Sequence, residues 1–413
     1  MNMNYRIMGT LGWEVSALGF GSMRLPVDKK YQIIEDEAIK MIRYAIDQEV
    51  NYVDTAYPYH GGRSEILLGK ALKDGYREKV YLATKVPMWL VRKTEHINKY
   101  FNKQVKRLQT NPDLYLFHGL AKDRLEKIKN LGLIKKMEEL RDQDLIKYIG
   151  FSFHDNFEVF KEIIDYYAWD CCQIQYNYLD INYQAGLKGL QYAASKRIAV
   201  IIMEPIRGGK LAIPENKLDS RPEVKAVLER SQIKRNMADW ALQFVWNHPE
   251  VSVVLSGMSA MQQVIENIES AANSGINTLT EDELKTISEL RAAYEKSNIV
   301  PCTSCRYCMP CPNGVDIPRV LFFINEIAYW GKERKDRIAS FYNRMVKSQD
   351  ELQKLKAKGE EVEGAAILCI QCGECLDKCP QQINITDFME KANAILKKIK
   401  KYQKFWNKRN FKI

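Results

Sequence analysis

The chain has 413 residues, with 62 Lys or Arg, 52 Asp or Glu, ten Cys and five His, and a formal net charge of +10. That length suits two domains, or one large domain with an appendage, because single cores stop growing at roughly 250–300 residues. An apolar content of 46% excludes global disorder, and the longest clean apolar run, Ile198-Ala-Val-Ile-Ile-Met203, is far below the roughly 20 residues of a membrane span. The opening Met1-Asn-Met-Asn-Tyr-Arg6 has no basic segment followed by an apolar one, so a cytoplasmic location is expected. Ten thiols in a reducing compartment point to metal or redox chemistry, not to a disulfide framework. No Cys precedes Cys171, and eight of the ten fall in two groups after residue 300. From Lys391 onward the tail carries nine basic residues and no acid, which is nearly all of the net charge.

In chain order, 5–8 and 14–17 flank Gly9-Thr-Leu-Gly12 and read as a β-hairpin. Short β-branched runs follow at 17–22, 52–55, 80–86, 114–118, 148–153, 172–177, 199–204 and 251–257. Between them lie amphipathic stretches such as 37–48, 65–73, 97–108, 157–167 and 185–196, with apolar residues at i, i+3, i+4 spacing. Near-continuous apolar strands separated by helices read as a parallel sheet buried on both faces. Eight such units over roughly 260 residues match a (β/α)₈ TIM barrel. The first strand ends Gly19-Phe-Gly-Ser-Met-Arg24, which lacks the glycine-rich phosphate turn of a doubly wound sheet. Thr280-Glu-Asp-Glu283 is a capping box that opens a helix to about Lys296, and Pro301 marks the entry to the cysteine region. Segments 317–330 and 335–356 read as helices linking the two thiol groups, and Thr386 caps a last helix running into the basic tail. The expected domains are therefore a barrel over 1–295 and a mainly α-helical cysteine domain over 296–413.

Chemistry in such a barrel sits at the C-terminal ends of the strands. There, 52–55 ends in Asp54 and leads to Tyr59, 80–86 carries Lys85, and 114–118 ends in His118. Singly these are ordinary barrel residues; their conjunction on neighbouring strands is what signals a site. A Lys ammonium beside Tyr59 favours the phenolate, and Asp54 would hold that ammonium charged. Tyr59 could then protonate a carbonyl oxygen as hydride arrives at carbon, with His118 orienting the oxygen.

Asp54-Thr-Ala-x-x-Tyr59, Ser64-Glu65, Thr84-Lys85 and Leu114-Tyr-Leu-Phe-His118 together resemble the aldo-keto reductase family over roughly residues 4–295. The resemblance implies NADP or NAD as hydride carrier and a small carbonyl or alcohol substrate. It also implies cofactor positions: Ser152 and Gln173 at the carboxamide, and Gly21, Ser22 and Met23 near the nicotinamide ribose. Gly257, Met258, Gln263, Glu266 and Asn267 fall at the adenosine end. Met203-Glu204 stands where many members have a stacking Tyr, and a thioether packs against a ring without aromatic stacking. The basic residues that usually clasp a 2′-phosphate are Gly257 and Gln263 here, so NADPH over NADH is left open.

The late thiols form Cys302-x₂-Cys305-x₂-Cys308-x₂-Cys311-Pro312 and Cys369-x₂-Cys372-x₂-Cys375-x₃-Cys379-Pro380. The second run resembles the bacterial ferredoxin pattern, whose fourth Cys ligates the other cluster. That implies two [4Fe–4S] centres, one on Cys302, Cys305, Cys308 and Cys379, the other on Cys369, Cys372, Cys375 and Cys311. The first run is one residue short before Cys311, so crossed and local ligation both stay open. Zinc ribbons, the alternative, use separated CxxC pairs and not triplets. Cys171 and Cys172 read as core residues of a barrel strand. The final helix carries a stripe of Phe388, Ala392, Ile395, Ile399, Tyr402 and Trp406, read as docking on the protein itself with a solvated basic face and not as a nucleic-acid surface. A one-electron redox partner is implied by the clusters. The competing function is an electron carrier whose barrel is a docking scaffold without hydride chemistry; it is raised by the Met203 and Gly257 departures.

Overall fold

In the computed structural model, residues 2–295, 300–330 and 364–397 are described, together with positions 338, 341, 342, 345 and 351. The β-branched runs form eight parallel strands that close into a barrel: β3 (Leu18–Gly21), β4 (Tyr52–Asp54), β5 (Tyr81–Val86), β6 (Leu114–Leu120), β7 (Tyr148–Phe153), β8 (Cys171–Gln175), β9 (Ala199–Met203) and β10 (Val251–Gly257), with β10 pairing back to β3. Before them, β1 (Tyr5–Ile7) and β2 (Glu14–Ser16) pair antiparallel as the expected hairpin. Met8, Leu11 and Val15 of the hairpin pack on Tyr52, Leu114, Cys171, Ala199 and Val253, so the hairpin plugs the end of the barrel where the strands begin. Trp13 stacks on Tyr81 with ring centroids 3.8 Å apart. Closing that end leaves the opposite rim as the mouth.

Parallel strands must be joined by crossovers, and the amphipathic segments supply them. They are α1 (Glu35–Asp47), α2 (Arg63–Ala71), α3 (His96–Leu108), α4 (Lys122–Leu131), α5 (Leu133–Asp142), α6 (Phe157–Tyr166), α7 (Gly186–Ser195), α8 (Pro222–Arg230) and α9 (Met237–Trp246), while α10 (Met261–Ala272) and α11 (Glu281–Glu295) follow the last strand. Four strands, β3, β4, β8 and β9, stop one or two residues before the runs read for them, and two of these have a clear local reason. Past β8, the Asn177 side chain accepts from the Leu179 and Asp180 amides and turns the chain. Past β9, Glu204 takes a left-handed φ of 56° that no strand continues through. The capping box forms as read, with the Thr280 amide donating to Glu283 Oε2 at 2.9 Å and the Glu283 amide to Thr280 Oγ1 at 3.3 Å. Arg235 also bonds Glu283 Oε1 at 2.6 Å. Cys171 and Cys172 are fully buried in β8, where burial pushes both thiols up.

The chain divides into two compact units, one of Met1–Pro214 with Ser231–Ser288, the other of 215–230 with the chain from 289 onward. Residues 215–230, which include α8, thus group with the second unit although they interrupt the barrel sequence. The second unit also contains α12 (Ile317–Trp330) and α13 (Ile385–Lys397), and its core includes Val300, Val315, Val320, Ile324, Ile385 and Met389. The helix expected over 335–356 lies outside the described residues except at positions 338, 341, 342, 345 and 351, and the basic tail beyond Lys397 lies outside them entirely. Among the described residues no helix is long and apolar enough to cross a membrane. We predict that Glu283→Ala, which removes both the capping box and the Arg235 bonds, lowers stability by about 1–2 kcal/mol in urea unfolding.

Candidate active site

Strand register brings the polar residues to one level. Gly257 pairs with Gly21, Gly21 with Asp54, and Ser152 with Gln173 on neighbouring strands. At this rim Lys85 Nζ donates to Asp54 Oδ1 at 2.6 Å, to Asp54 Oδ2 at 2.7 Å and to the Thr55 carbonyl at 2.8 Å. Both side chains are buried. Burial pushes the Asp54 carboxyl up and the Lys85 ammonium down, and the attraction between the two opposes both shifts. The geometry is that of a charged pair, with all three ammonium protons committed.

Tyr59, on the turn after β4, places its ring 5.2 Å from Lys85 Nζ and 6.1 Å, edge-on, from the His118 ring. The half-exposed Trp89 ring stands 5.2 Å from His118 on another side. His118 is buried, and burial followed by the Lys85, His154 and Arg124 charges holds its pKa well below the ordinary histidine value. It is therefore a neutral imidazole at neutral pH. Asp54, Tyr59, Lys85 and His118 are thus gathered into one cluster, as their order in the sequence suggested.

A second buried network supports the first. Glu65 Oε1 accepts from Thr84 Oγ1 at 2.8 Å and from Gln104, and Glu65 Oε2 from Arg107 at 2.8 Å. Tyr115 OH donates to Gln104 Oε1 at 2.8 Å, while Gln104 Nε2 also reaches the Lys85 carbonyl at 3.2 Å. Ser64 Oγ meets Thr55 Oγ1 at 2.9 Å and donates to the Ser22 carbonyl. Ser64-Glu65 was visible as a motif. Tyr115 lay within Leu114-Tyr-Leu-Phe-His118, but Gln104 and Arg107 were not singled out, because nothing local marks residues of α3 as partners of Glu65 on α2.

The candidate cofactor positions divide. Gln173 hydrogen-bonds the Asp54 carboxylate, while its Oε1 is buried without a partner. Ser22 Oγ and Glu204 Oε2 are likewise buried and unpartnered. Buried polar atoms seek partners, so this side of the mouth suits a polar ligand such as a carboxamide-bearing dinucleotide. Ser152 Oγ accepts from the Gly119 amide at 2.7 Å. Gly21 is buried, with a Cβ there meeting the Ser256 carbonyl at 3.2 Å, and Met203 is half-buried at the end of β9. Met258 is buried, and Asn267 bonds Ser256 Oγ at 2.8 Å, which ties α10 to β10. Gln263 Oε1 accepts from the Ser259 amide at 2.8 Å and Glu266 from Gln262 at 2.9 Å, both near the surface. The cation absent from positions 257 and 263 is present nearby: Arg24 lies against Gly257, where a Cβ would meet its stem at 3.1 Å, and its guanidinium is 3.6 Å from Glu204. Sequence reading passed over Arg24, since the contact depends on β3 and β10 being neighbours.

In the second unit the thiols group across the sequence. Cys308 interacts with Cys305, Cys302 and Cys379, and more weakly with Cys375; Cys379 interacts with Cys302. Cys369 faces Cys311 and Cys372, and Cys375 faces Cys369, Cys311 and Cys372. Cys379 thus stands near the first triplet and Cys311 near the second, the neighbours that crossed ligation would use. Cys311, Cys369, Cys372 and Cys375, with Cys308, line one open pocket. Backbone amides point at the sulfurs: Ser304 N–H to Cys302 Sγ at 3.4 Å, Gln371 N–H to Cys369, and those of Gln381, Gln382 and Ile383 to Cys379. Burial raises the Cys308, Cys369, Cys375 and Cys379 thiols, so thiolates here need a cationic core to offset desolvation and mutual repulsion. Among the described residues no three His, Cys, Asp or Glu side chains gather around a single-ion position.

Comparison with known proteins agrees with both halves. A family model for the aldo/keto reductase family matches residues 17–292, and one for a 4Fe-4S dicluster domain matches 301–383. L-galactose dehydrogenase of Arabidopsis thaliana is 29% identical over 307 residues, 70% of this chain and 94% of that protein. The uncharacterized oxidoreductase YqkF of Bacillus subtilis is 28% identical over 69% of this chain and 95% of its own. Among solved structures, the holo form of aldo-keto reductase AKR11C1 from Bacillus halodurans superposes with a TM-score of 0.58 at 28% identity, covering 70% of this chain and 96% of that one.

The histidines also set a pH dependence. Burial, with a smaller contribution from Arg124, lowers the His154 pKa from 6.5 to about 4, against the opposing bond to Gln184. Below about pH 6.5 the unfolded chain therefore binds protons that folded His154 and His118 refuse, and stability falls as pH drops towards about 4. We predict that wild type loses about 2 kcal/mol more than His154→Asn between about pH 7 and pH 4.5 in urea unfolding; equal losses would refute the assignment.

Proposed function

Because the chain belongs to the aldo/keto reductase family and carries a 4Fe-4S dicluster domain after its barrel, we propose that this oxidoreductase moves hydride between NAD(P)H and an aldehyde or ketone, in either direction, and exchanges single electrons through two [4Fe–4S] clusters. The observation that carries the reading is the buried, doubly hydrogen-bonded Lys85–Asp54 pair with the Tyr59 ring 5.2 Å from its ammonium and His118 alongside. Tyr59 gives its phenolic proton to the carbonyl oxygen in reduction and takes it back in the reverse direction. Lys85 stabilises the phenolate that remains, and Asp54 keeps Lys85 charged and fixed. Neutral His118 hydrogen-bonds the same oxygen without delivering a full charge to it.

Ser152 and Gln173 would hold the carboxamide, Met203 would pack against the ring, and Gly21, Ser22 and Met23 would line the ribose. Residues 257–267, with Gly257, Met258, Gln263, Glu266 and Asn267, would line the adenosine end beside Arg24 and Glu204. When bound, the nicotinamide supplies the hydride. Cys302, Cys305, Cys308 and Cys379 would ligate one cluster, and Cys369, Cys372, Cys375 and Cys311 the other, which supply one-electron transfer.

Tyr59→Phe is expected to lower NAD(P)H-linked carbonyl reduction by about 10²–10⁴-fold while cofactor binding by fluorescence titration persists; unchanged turnover would remove Tyr59 from the role. Anaerobically purified protein should contain about eight iron and about eight acid-labile sulfide per chain, falling by about half in Cys379→Ala and in Cys311→Ala, each of which empties a different cluster. Zinc without sulfide would overturn the cluster assignment.

A further inference from the structure

The strand order sets β5 and β6 across the barrel from β9 and β10. The candidate dinucleotide positions lie on β3 and from β7 to β10, so the segments after β5 and β6 form the other side of the mouth. That side is rich in cations. Arg124 and Lys127, one turn apart on α4, both reach back to main chain beside the catalytic cluster. The Arg124 guanidinium donates to the carbonyl of Gly119, the residue after His118. Lys127 Nζ donates to the carbonyl of Met88, the residue before Trp89, at 3.1 Å. Gly119 has φ 63°, and a Cβ there would meet Arg124 at 2.8 Å and the His154 ring at 3.7 Å, so the guanidinium lies directly over the strand end. Arg92 is a third cation within electrostatic reach of Lys127, and Asp123, exposed on the same helix, is the acid nearby.

The other lysines of α4 behave differently. Lys122 and Lys129 form carboxylate pairs, with Glu162 at 2.5 and 2.9 Å and with Glu126 at 3.6 and 3.1 Å. Those pairs account for the outer face of the helix. Arg124 and Lys127 are anchored by carbonyls within one residue of His118 and Trp89, which fixes both charges beside the strand ends that carry the acid–base cluster.

We infer that the carbonyl substrate bears an anionic group, a carboxylate or phosphate, held by Arg124 and Lys127, with Trp89 against the body of the molecule between that group and His118. This rests on the proposed carbonyl reduction at Tyr59. Carboxylates and phosphates both match a guanidinium fork beside an ammonium.

The test compares 4-carboxybenzaldehyde and 4-formylphenyl phosphate with the uncharged methyl 4-formylbenzoate, using the full-length protein and NAD(P)H. An anionic aldehyde should be preferred by about tenfold or more in kcat/KM, expressed in KM, and which of the two is preferred identifies the group. In Arg124→Gln/Lys127→Gln the preference should fall towards one, while Arg124→Lys/Lys127→Arg, which keeps both charges, should retain much of it. Equal kcat/KM for charged and uncharged aldehydes in wild type, or a preference that survives loss of both charges, would overturn the inference. Calorimetric titration with 4-hydroxybenzoate and phenyl phosphate separates this from the reductase reading, since neither ligand can be reduced. If no aldehyde turns over but an anion binds wild type and not the Gln double variant, the reductase reading fails and the anion site stands. If neither anion binds, the site itself is refuted.

Discussion

The barrel mouth is organised around one buried ion pair. Lys85 and Asp54 are almost wholly removed from water, and each would be costly to bury alone. The pair is tolerable only because the ammonium meets both carboxylate oxygens and a carbonyl at 2.6–2.8 Å. That requirement reaches outward. Asp54 must end β4 one strand from Lys85, and Gln173 must approach from across the barrel to bond the same carboxylate. The Glu65, Gln104, Arg107 and Tyr115 network then fixes α2 and α3 against β5 and β6. Three residues of the acid–base reading, Asp54, Lys85 and His118, are thus held on barrel strands, and Tyr59 sits on the turn that leads directly from β4 into α2, which limits the small displacements to which a proton transfer is sensitive.

The second unit solves a related electrostatic problem by other means. Several of its thiols are pushed up by burial and by one another, and inward-pointing amides at Ser304, Gln371 and 381–383 supply partial positive charge to the sulfurs. Such amides stabilise a charged thiolate cluster and tune its potential. The charge of the chain also reads differently in this light: eight thiolates on two cores of about +2 each would lower the formal +10 by about four. On the proposed chemistry a hydride carries two electrons and each cluster would pass one, so coupling the two halves would require a carrier able to split the pair.

Much of the fold could be read from residues alone because it is a repeated local pattern. Eight β-branched runs, a hairpin at Gly9–Gly12 and a Thr280–Glu283 capping box each announce themselves within a few positions, and each forms where read. Strand ends were less legible. Asn177 and Glu204 end their strands through a side-chain turn and a left-handed backbone, neither of which an apolar run encodes. The site followed the same division: Asp54, Tyr59, Lys85 and His118 fall at expected strand ends, whereas Arg24, Gln104 and Arg107 matter through contacts between elements far apart in sequence.

Sequence by itself determined the elements, the four mouth residues and the eight late thiols, because periodicity and spacing are properties of short stretches of chain. Only tertiary structure decided which thiol stands with which set, since Cys311 and Cys379 each join the group from which they are distant in sequence. It also decided what each cation of α4 reaches: Arg124 and Lys127 bond the Gly119 and Met88 carbonyls while Lys122 and Lys129 reach Glu162. In both cases the deciding quantity is distance through space, and closing a barrel or crossing two loops sets that distance without leaving a mark on local composition. The +10 charge and the ten thiols stood in the sequence from the start; the fold decided what each of them faces.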